Sequence, residues 1–256
     1  MTAKPNLEGR RALVTGAGSG IGLAVSQRLS ELGATVSMLD RSQETIRAAA
    51  ESVGAEPVWC DLTRSGDVHT MLAAHDAVDI LVNNAGFQHV AALEDFPENV
   101  WNEMHAVMLT APFLLMRHFL PFMYGRGWGR VINVASVHGL VGSPFKSAYV
   151  AAKHGLLGLT KVAALEAGAR SPQVTVTAVC PSYVRTPLVE HQIADQAAKH
   201  DLPESDVVEQ VLLSQNAIKR LIEPTDIAAT VAFLCTDEAW SFTGGAITMD
   251  AGWLAH

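Results

Sequence analysis

The sequence predicts an α/β protein: one doubly wound domain, a seven-stranded parallel sheet flanked by helices, with a small helical lid after strand six. Three observations predict it. Apolar, β-rich runs alternate with segments of three- and four-residue apolar spacing along the chain, the pattern of a parallel sheet covered on both faces. Hydrophobic residues make up 49% of the 256 and charged residues 17%, enough apolar mass for a buried core and too much for disorder. No composition break, Gly/Ser linker or repeat divides residues 1–256.

The strands are expected at 12–15, 35–39, 57–60, 80–82, 130–134, 174–179 and 246–249, each a short run rich in β-branched or aliphatic residues. The crossover helices are expected at 21–32, 43–52, 65–75, 98–124, 148–169 and 225–235. Residues 182–221 break the alternation. There Leu188, Ile193 and Ala197, then Val207, Val208, Val211 and Leu212, predict two short amphipathic helices over the carboxyl end of the sheet. Insertions at that edge lie over the crevice where ligands bind, so the segment reads as a substrate lid, with a packing or oligomer contact as the alternative.

Eighteen Lys+Arg against 26 Asp+Glu give a formal charge of -8, which argues against a nucleic-acid partner. Cys60, Cys180 and Cys235 are scattered in apolar runs and imply no disulfide framework. The ten histidines lack H-E-x-x-H or paired-cysteine spacing, so no metal is expected. The polar start of the chain lacks a signal-peptide layout, and the apolar stretch 106–116 is too short to cross a bilayer. The expectation is a cytoplasmic protein with no membrane partner.

Directly after the first strand comes Thr15-Gly16-Ala17-Gly18-Ser19-Gly20-Ile21-Gly22, running into a helix. Glycines at Gly16, Gly20 and Gly22 permit a sharp turn and a close approach to a pyrophosphate, whose charge meets the free N–H groups of the helix start. The second strand leads to Asp40, where an acidic group accepts from the adenosine ribose hydroxyls and repels a 2'-phosphate. NAD is therefore expected over NADP, with adjacent Arg41 softening the choice; the alternative makes Asp40 a helix N-cap. Asp61 follows the third strand and Asn83-Asn84-Ala85-Gly86 the fourth, all facing the same crevice. Asp61 is positioned to accept from an adenine amino group, whereas Asn83 and Asn84 equally suit turn bracing.

Tyr149 and Lys153 stand four apart at the start of a long helix, which puts phenol and ammonium on one face. Nearby positive charge stabilises phenolate, as a general acid or base near neutrality requires. Ser136, after the fifth strand, brings a hydroxyl able to polarise a carbonyl.

With these motifs the chain resembles the short-chain dehydrogenase/reductase family over essentially its whole length. The matching positions are Thr15-Gly16-x-x-x-Gly20-x-Gly22, Asp61, Asn83 to Gly86, Ser136, Tyr149-x-x-x-Lys153 and Pro181 to Thr186. The resemblance implies a Rossmann-type domain, usually assembled as a homotetramer. It implies a dinucleotide held by Gly16, Ser19, Gly20, Ile21, Gly22, Asp40, Asp61, Leu62, Asn83, Ala85, Gly86, Tyr149, Lys153, Pro181, Val184 and Thr186. It also implies that Tyr149 exchanges the proton, Lys153 lowers its pKa while binding the nicotinamide ribose, Ser136 holds the reacting oxygen, and Thr186 holds the carboxamide. Two departures stand out: Met108 where the family has a catalytic Asn that orders a relay water, and Ser182 where glycine follows the proline.

Within the family, segments 86–89, 136–140, 146–155 and 185–193 are similar to the bacterial D-3-hydroxybutyrate dehydrogenases. That similarity implies Gln88, His138, Lys146 and Gln192 around a substrate carboxylate. A cation three residues before Tyr149, with amide and imidazole donors, suits a small hydroxy-acid anion. Tyr183 stands where the family places Trp, and Trp253 completes the apolar wall. The expectation is an NAD-dependent enzyme interconverting (R)-3-hydroxybutyrate, or a somewhat longer 3-hydroxy acid, with its 3-oxo acid. The alternatives are a reductase of another ketone or sugar-like alcohol, and a non-catalytic dinucleotide-binding regulator.

Overall fold

The structure, a computed structural model, describes residues 6–187, 189–190, 193, 203 and 206–255. Seven strands, β1 (Arg11–Thr15), β2 (Thr35–Asp40), β3 (Glu56–Trp59), β4 (Ile80–Asn83), β5 (Gly129–Val134), β6 (Val174–Pro181) and β7 (Ala246–Met249), form one sheet in the order 3-2-1-4-5-6-7. Every pairing is parallel. The order reverses between β1 and β4, and the crevice of a doubly wound sheet opens at that switch point. β5 and β6 are buried at every position, as the central strands of a sheet covered on both faces must be.

The helices are α1 (Gly20–Glu31), α2 (Gln43–Val53), α3 (Ser65–Ala74), α4 (Glu98–His105), α5 (Ala111–Arg126), α6 (Ser147–Arg170) and α7 (Pro224–Leu234). Their ends carry local signals. Ser42 caps α2 by accepting from the Thr45 N–H, and Gly54 ends it at φ 72°. Glu223 and Asp226 form a reciprocal capping box on α7, with Pro224 in its first turn. One buried cluster joins Leu13, Leu81 and Val131 of the sheet to Met71, Leu115 and Ala152 on one face; a second joins Val14, Ile80 and Ile132 to Val25, Ile46 and Ile227 on the other.

The expected helix 98–124 differs from the structure in one respect: α4 and α5 are joined by a π-helical turn, Ala106–Thr110. The combined helix Glu98–Arg126 is long and apolar enough to cross a membrane by length and composition. It instead lies along the sheet, sinking Met104, Leu115 and Phe119 into the first core cluster.

After β6 the chain leaves the sheet through a pinned neck. Ile222 N–H donates to Tyr183 O (3.0 Å) and Arg185 N–H to Ile222 O (2.8 Å), and Arg185 pairs with Glu223 (2.9 Å). Of the two lid helices expected from sequence, the second is present as a π-helical segment, Val207–Leu212. The first falls mostly outside the described residues. Val189, Ile193, Val207, Leu213 and Leu221 form a small apolar cluster separate from the main core.

Candidate active site

The turn between β1 and α1 has Gly16 at φ 64° and Gly20 at φ 52°, a region other residues rarely adopt. Gly22 is required for a different reason: a Cβ there would stand 2.2 Å from the Gly16 carbonyl oxygen. Asn84 braces this turn, its Nδ2 donating to Thr15 O (2.9 Å) and Gly16 O (3.1 Å). Thr15 Oγ1 in turn accepts from the Asn84 and Ala85 N–H groups, both at 3.0 Å. The turn-bracing alternative thus describes Asn84. Asn83 is buried within the sheet and donates to Asn133 Oδ1 (2.8 Å), which passes the chain on to Thr160.

Asp40 ends β2 and is not a helix cap, since Ser42 fills that role. Its two carboxylate oxygens accept from the Gly18 and Ser42 N–H groups, each at 3.2 Å. Burial pushes the Asp61 carboxyl up, but hydrogen bonds from the Thr63 hydroxyl and N–H, with the Arg64 and Arg41 cations, hold it below its ordinary value.

A cleft of about 370 Å³ runs along the carboxyl edge of the strands. Every residue expected to hold the dinucleotide lines it except Gly22 and Asn83, which shape the turn and the sheet beneath. The sequence reading missed Cys60, Thr63, Phe87, Val107 and Val189 on its walls. Cys60 had a usable signal, its place at the carboxyl end of β3; its thiol is pushed up to about 12, first by burial.

Ser136 follows β5, and its Oγ accepts from the His138 N–H (3.1 Å), opening a short 3-10 turn. The Ser136 hydroxyl also hydrogen-bonds the Tyr149 side chain. Tyr149 and Lys153 lie one turn apart on α6, as their spacing predicts. Lys153 is buried, donates from Nζ to Val134 O (2.7 Å), and stands 5.6 Å from the Tyr149 ring centroid. Burial lowers the Lys153 ammonium to about 8. Burial raises the Tyr149 phenol, with the Ser136 hydrogen bond pulling it down. This differs from the expected acidification by Lys153: spacing put the two groups on one face, but desolvation dominates the phenol.

Beside Tyr149 lies a second polar group of residues. His138 Nε2 is 3.4 Å from Lys146 Nζ, and the His138 ring packs edge-on to Tyr149 (6.2 Å between centroids) and to Trp253 (5.2 Å). Burial, then the Lys146 charge, lowers His138 to about 4, and burial lowers Lys146. His138 is therefore neutral near pH 7, its Nε2 accepts from the ammonium, and the proton sits on Nδ1, buried with no hydrogen-bond partner. Lys146 Nζ is 6.0 Å from the Tyr183 ring, and Trp253 Nε1 donates to Gln215 (2.7 Å). Phe145, just before Lys146, has φ 65°, and its carbonyl accepts from the Ala91 N–H (3.0 Å), tying the loop that carries half-buried Gln88 to this side. Gln192 lies outside the described residues.

Met108 occupies the π-helical turn, buried, its sulfur 3.2 Å from where a Cβ on Gly86 would stand. A thioether thus fills the place of the family's Asn, directly beneath the cleft wall. Among the described residues no group of three His, Cys, Asp or Glu is arranged to hold a metal.

A doubly wound parallel sheet with a glycine turn at its switch point, an acid ending β2 and a Ser–Tyr–Lys group at the carboxyl edge defines a nicotinamide-dinucleotide oxidoreductase. The chain belongs to the short chain dehydrogenase family, whose sequence profile matches residues 10–197. It is 42% identical to a D-beta-hydroxybutyrate dehydrogenase of Rhizobium meliloti, over 96% of this chain and 99% of that protein. It is 40% identical to one of Cupriavidus necator, over 98% and 100%. The solved structure of L-sorbose reductase from Gluconobacter frateurii, complexed with NADPH and L-sorbose, superposes with a TM-score of 0.92 at 25% identity, covering 99% of this chain and all of that one.

Proposed function

We propose that the protein oxidises a short 3-hydroxy acid, foremost (R)-3-hydroxybutyrate, to its 3-oxo acid with NAD, and runs the reverse reduction with NADH. The observation that carries this reading is the Lys146–His138 pair beside Tyr149. A half-buried ammonium at this site favours an anion, and a neutral alcohol would leave it uncompensated. In a 3-hydroxy acid the reacting carbon is two bonds from the carboxylate, which suits a cation three residues before the proton-exchanging tyrosine. The names borne by the two relatives above support the same substrate.

The site fits a nicotinamide dinucleotide: the glycine turn has no room for a Cβ at Gly22 and leaves backbone N–H groups at the start of α1 for a pyrophosphate. Gly16, Ser19, Gly20 and Ile21 would hold the pyrophosphate, Asp40 the adenosine ribose, and Asp61 and Leu62 the adenine. Ala85, Gly86, Pro181, Val184 and Thr186 would hold the remainder. The charge on Asp40 favours the ribose without a 2'-phosphate. When bound, the nicotinamide supplies the hydride acceptor for oxidation.

In that direction Tyr149, as phenolate, takes the hydroxyl proton at Oη, while the Ser136 hydroxyl holds the same substrate oxygen. The buried Lys153, one turn along α6 from Tyr149, anchors the nicotinamide ribose. Lys146, His138, Gln88 and Gln192 hold the carboxylate, and Tyr183 and Trp253 wall the alkyl end. The 182–221 lid closes over the acid and excludes water before transfer. A homotetramer is the proposed assembly, with exposed Phe113, Val162 and Leu165 on α5 and α6 as one apolar contact face.

Initial rates of NADH formation with both enantiomers of 3-hydroxybutyrate and both dinucleotides test the reading. The expected result is turnover of the R acid with NAD; tight NADH binding without turnover of any 3-hydroxy acid would overturn it. At Met108, a methionine cannot order a relay water, so Met108→Asn is expected to raise turnover several-fold and shift its pH profile. An unchanged rate and profile would remove that role from the site.

A further inference from the structure

The end of β2 is held more firmly than a strand end requires. Asp40 pairs in register with Trp59 of β3, the Cys60 N–H donates to Asp40 O (3.1 Å), and both Asp40 carboxylate oxygens accept backbone N–H groups. One further bond lies outside the ladder: the Trp59 indole Nε1 donates to the carbonyl of Arg41 at 3.0 Å. Trp59 is on an edge strand and 52% exposed, so apolar burial does not account for an indole there.

Asp40 and Arg41 are neighbours with opposite charges, and both line the cleft. A carboxylate facing the adenosine ribose accepts from its hydroxyls, whereas a guanidinium facing it attracts a 2'-phosphate. The orientation of the backbone at Asp40 and Arg41 decides which charge meets the ribose. The Arg41 carbonyl is the group that the indole grips.

We propose that Trp59 is a specificity-determining positioning residue: by holding the Arg41 carbonyl, its indole N–H keeps the Asp40 carboxylate presented to the ribose and so sets the preference for the dinucleotide without a 2'-phosphate. This rests on the NAD reading above. Trp59 touches neither substrate nor the reacting atoms, so its effect falls on the choice of dinucleotide and leaves the chemical step alone.

The test is Trp59→Phe, which keeps a ring and deletes the N–H, measured beside Asp40→Ser. Steady-state kinetics with NAD and NADP are run on each, with direct titration of NADH and NADPH by fluorescence and a second Trp59 variant, Trp59→Leu. For Trp59→Phe the kcat/KM ratio of NAD to NADP is expected to fall about fivefold, the usual worth of one neutral hydrogen bond. The change should enter through KM for NAD, with kcat retained and Trp59→Leu behaving alike. If Asp40→Ser collapses the ratio while both Trp59 variants leave it unchanged, the inference on Trp59 is overturned and the NAD reading stands. If KM for both dinucleotides rises equally, Trp59 only holds the loop, which also overturns it. If Asp40→Ser leaves the ratio unchanged, the NAD reading itself fails.

Discussion

Tyr149→Phe lowers turnover of the 3-hydroxy acid by roughly 10³-fold and leaves dinucleotide binding intact, as expected when a general acid–base group is lost without its ring. The ring packs edge-on to His138, and phenylalanine preserves that contact. Only the hydroxyl is lost, and with it the bond to Ser136. Because burial raises the phenol, oxidation, which needs the phenolate, climbs with pH through the alkaline range, while reduction, which needs the phenol, falls there. Single-turnover NADH formation across pH, beside fluorescence titration of NADH, separates chemistry from binding. A Phe variant that kept full speed would remove Tyr149 from proton exchange.

The same tyrosine shows where sequence reasoning stops. A spacing of four residues fixes which helix face two side chains share, and Tyr149 and Lys153 do share it. It carries no information about desolvation, which depends on what β5, β6 and the loops bring over them. The strands were legible because β5 and β6, although they bury Arg130, Asn133, Thr175 and Thr177, are short runs dominated by β-branched and aliphatic residues. The π-helical turn at Ala106–Thr110 was not, because every residue there suits a helix and one extra residue per turn leaves no compositional mark. Asn83 is a polar residue at a strand end, which reads as a site, yet its partner Asn133 lies fifty residues on and only the pairing of β4 with β5 brings them together. Asp40 was open between cap and ligand until Ser42, two residues later, took the cap. Phe145 is left-handed, its carbonyl accepting from the Ala91 N–H, where no glycine announces the conformation.

Lys146→Ala is expected to cost about 2–3 kcal/mol of transition-state stabilisation on the hydroxy acid, roughly a hundredfold in kcat/KM, mostly through KM. Among the described residues the ammonium is the only full positive charge in the second polar group, because His138, lowered to about 4, is neutral through the physiological range. The pH dependence separates the two residues. A carboxylate bound by His138 as imidazolium would lose affinity through the pH range of an ordinary histidine, near 6.5. One bound by Lys146 keeps its affinity there and loses it only on the alkaline side, starting below an ordinary lysine because burial lowers Lys146. The expected KM profile is therefore flat across neutrality and rises at alkaline pH in the native protein, and the alkaline rise disappears in Lys146→Ala. A neutral secondary alcohol, if turned over at all, should be indifferent to the substitution. Unchanged hydroxybutyrate kinetics in Lys146→Ala would dissociate the anion subsite from this lysine and reopen the choice of substrate, while leaving the dinucleotide site and the tyrosine as described.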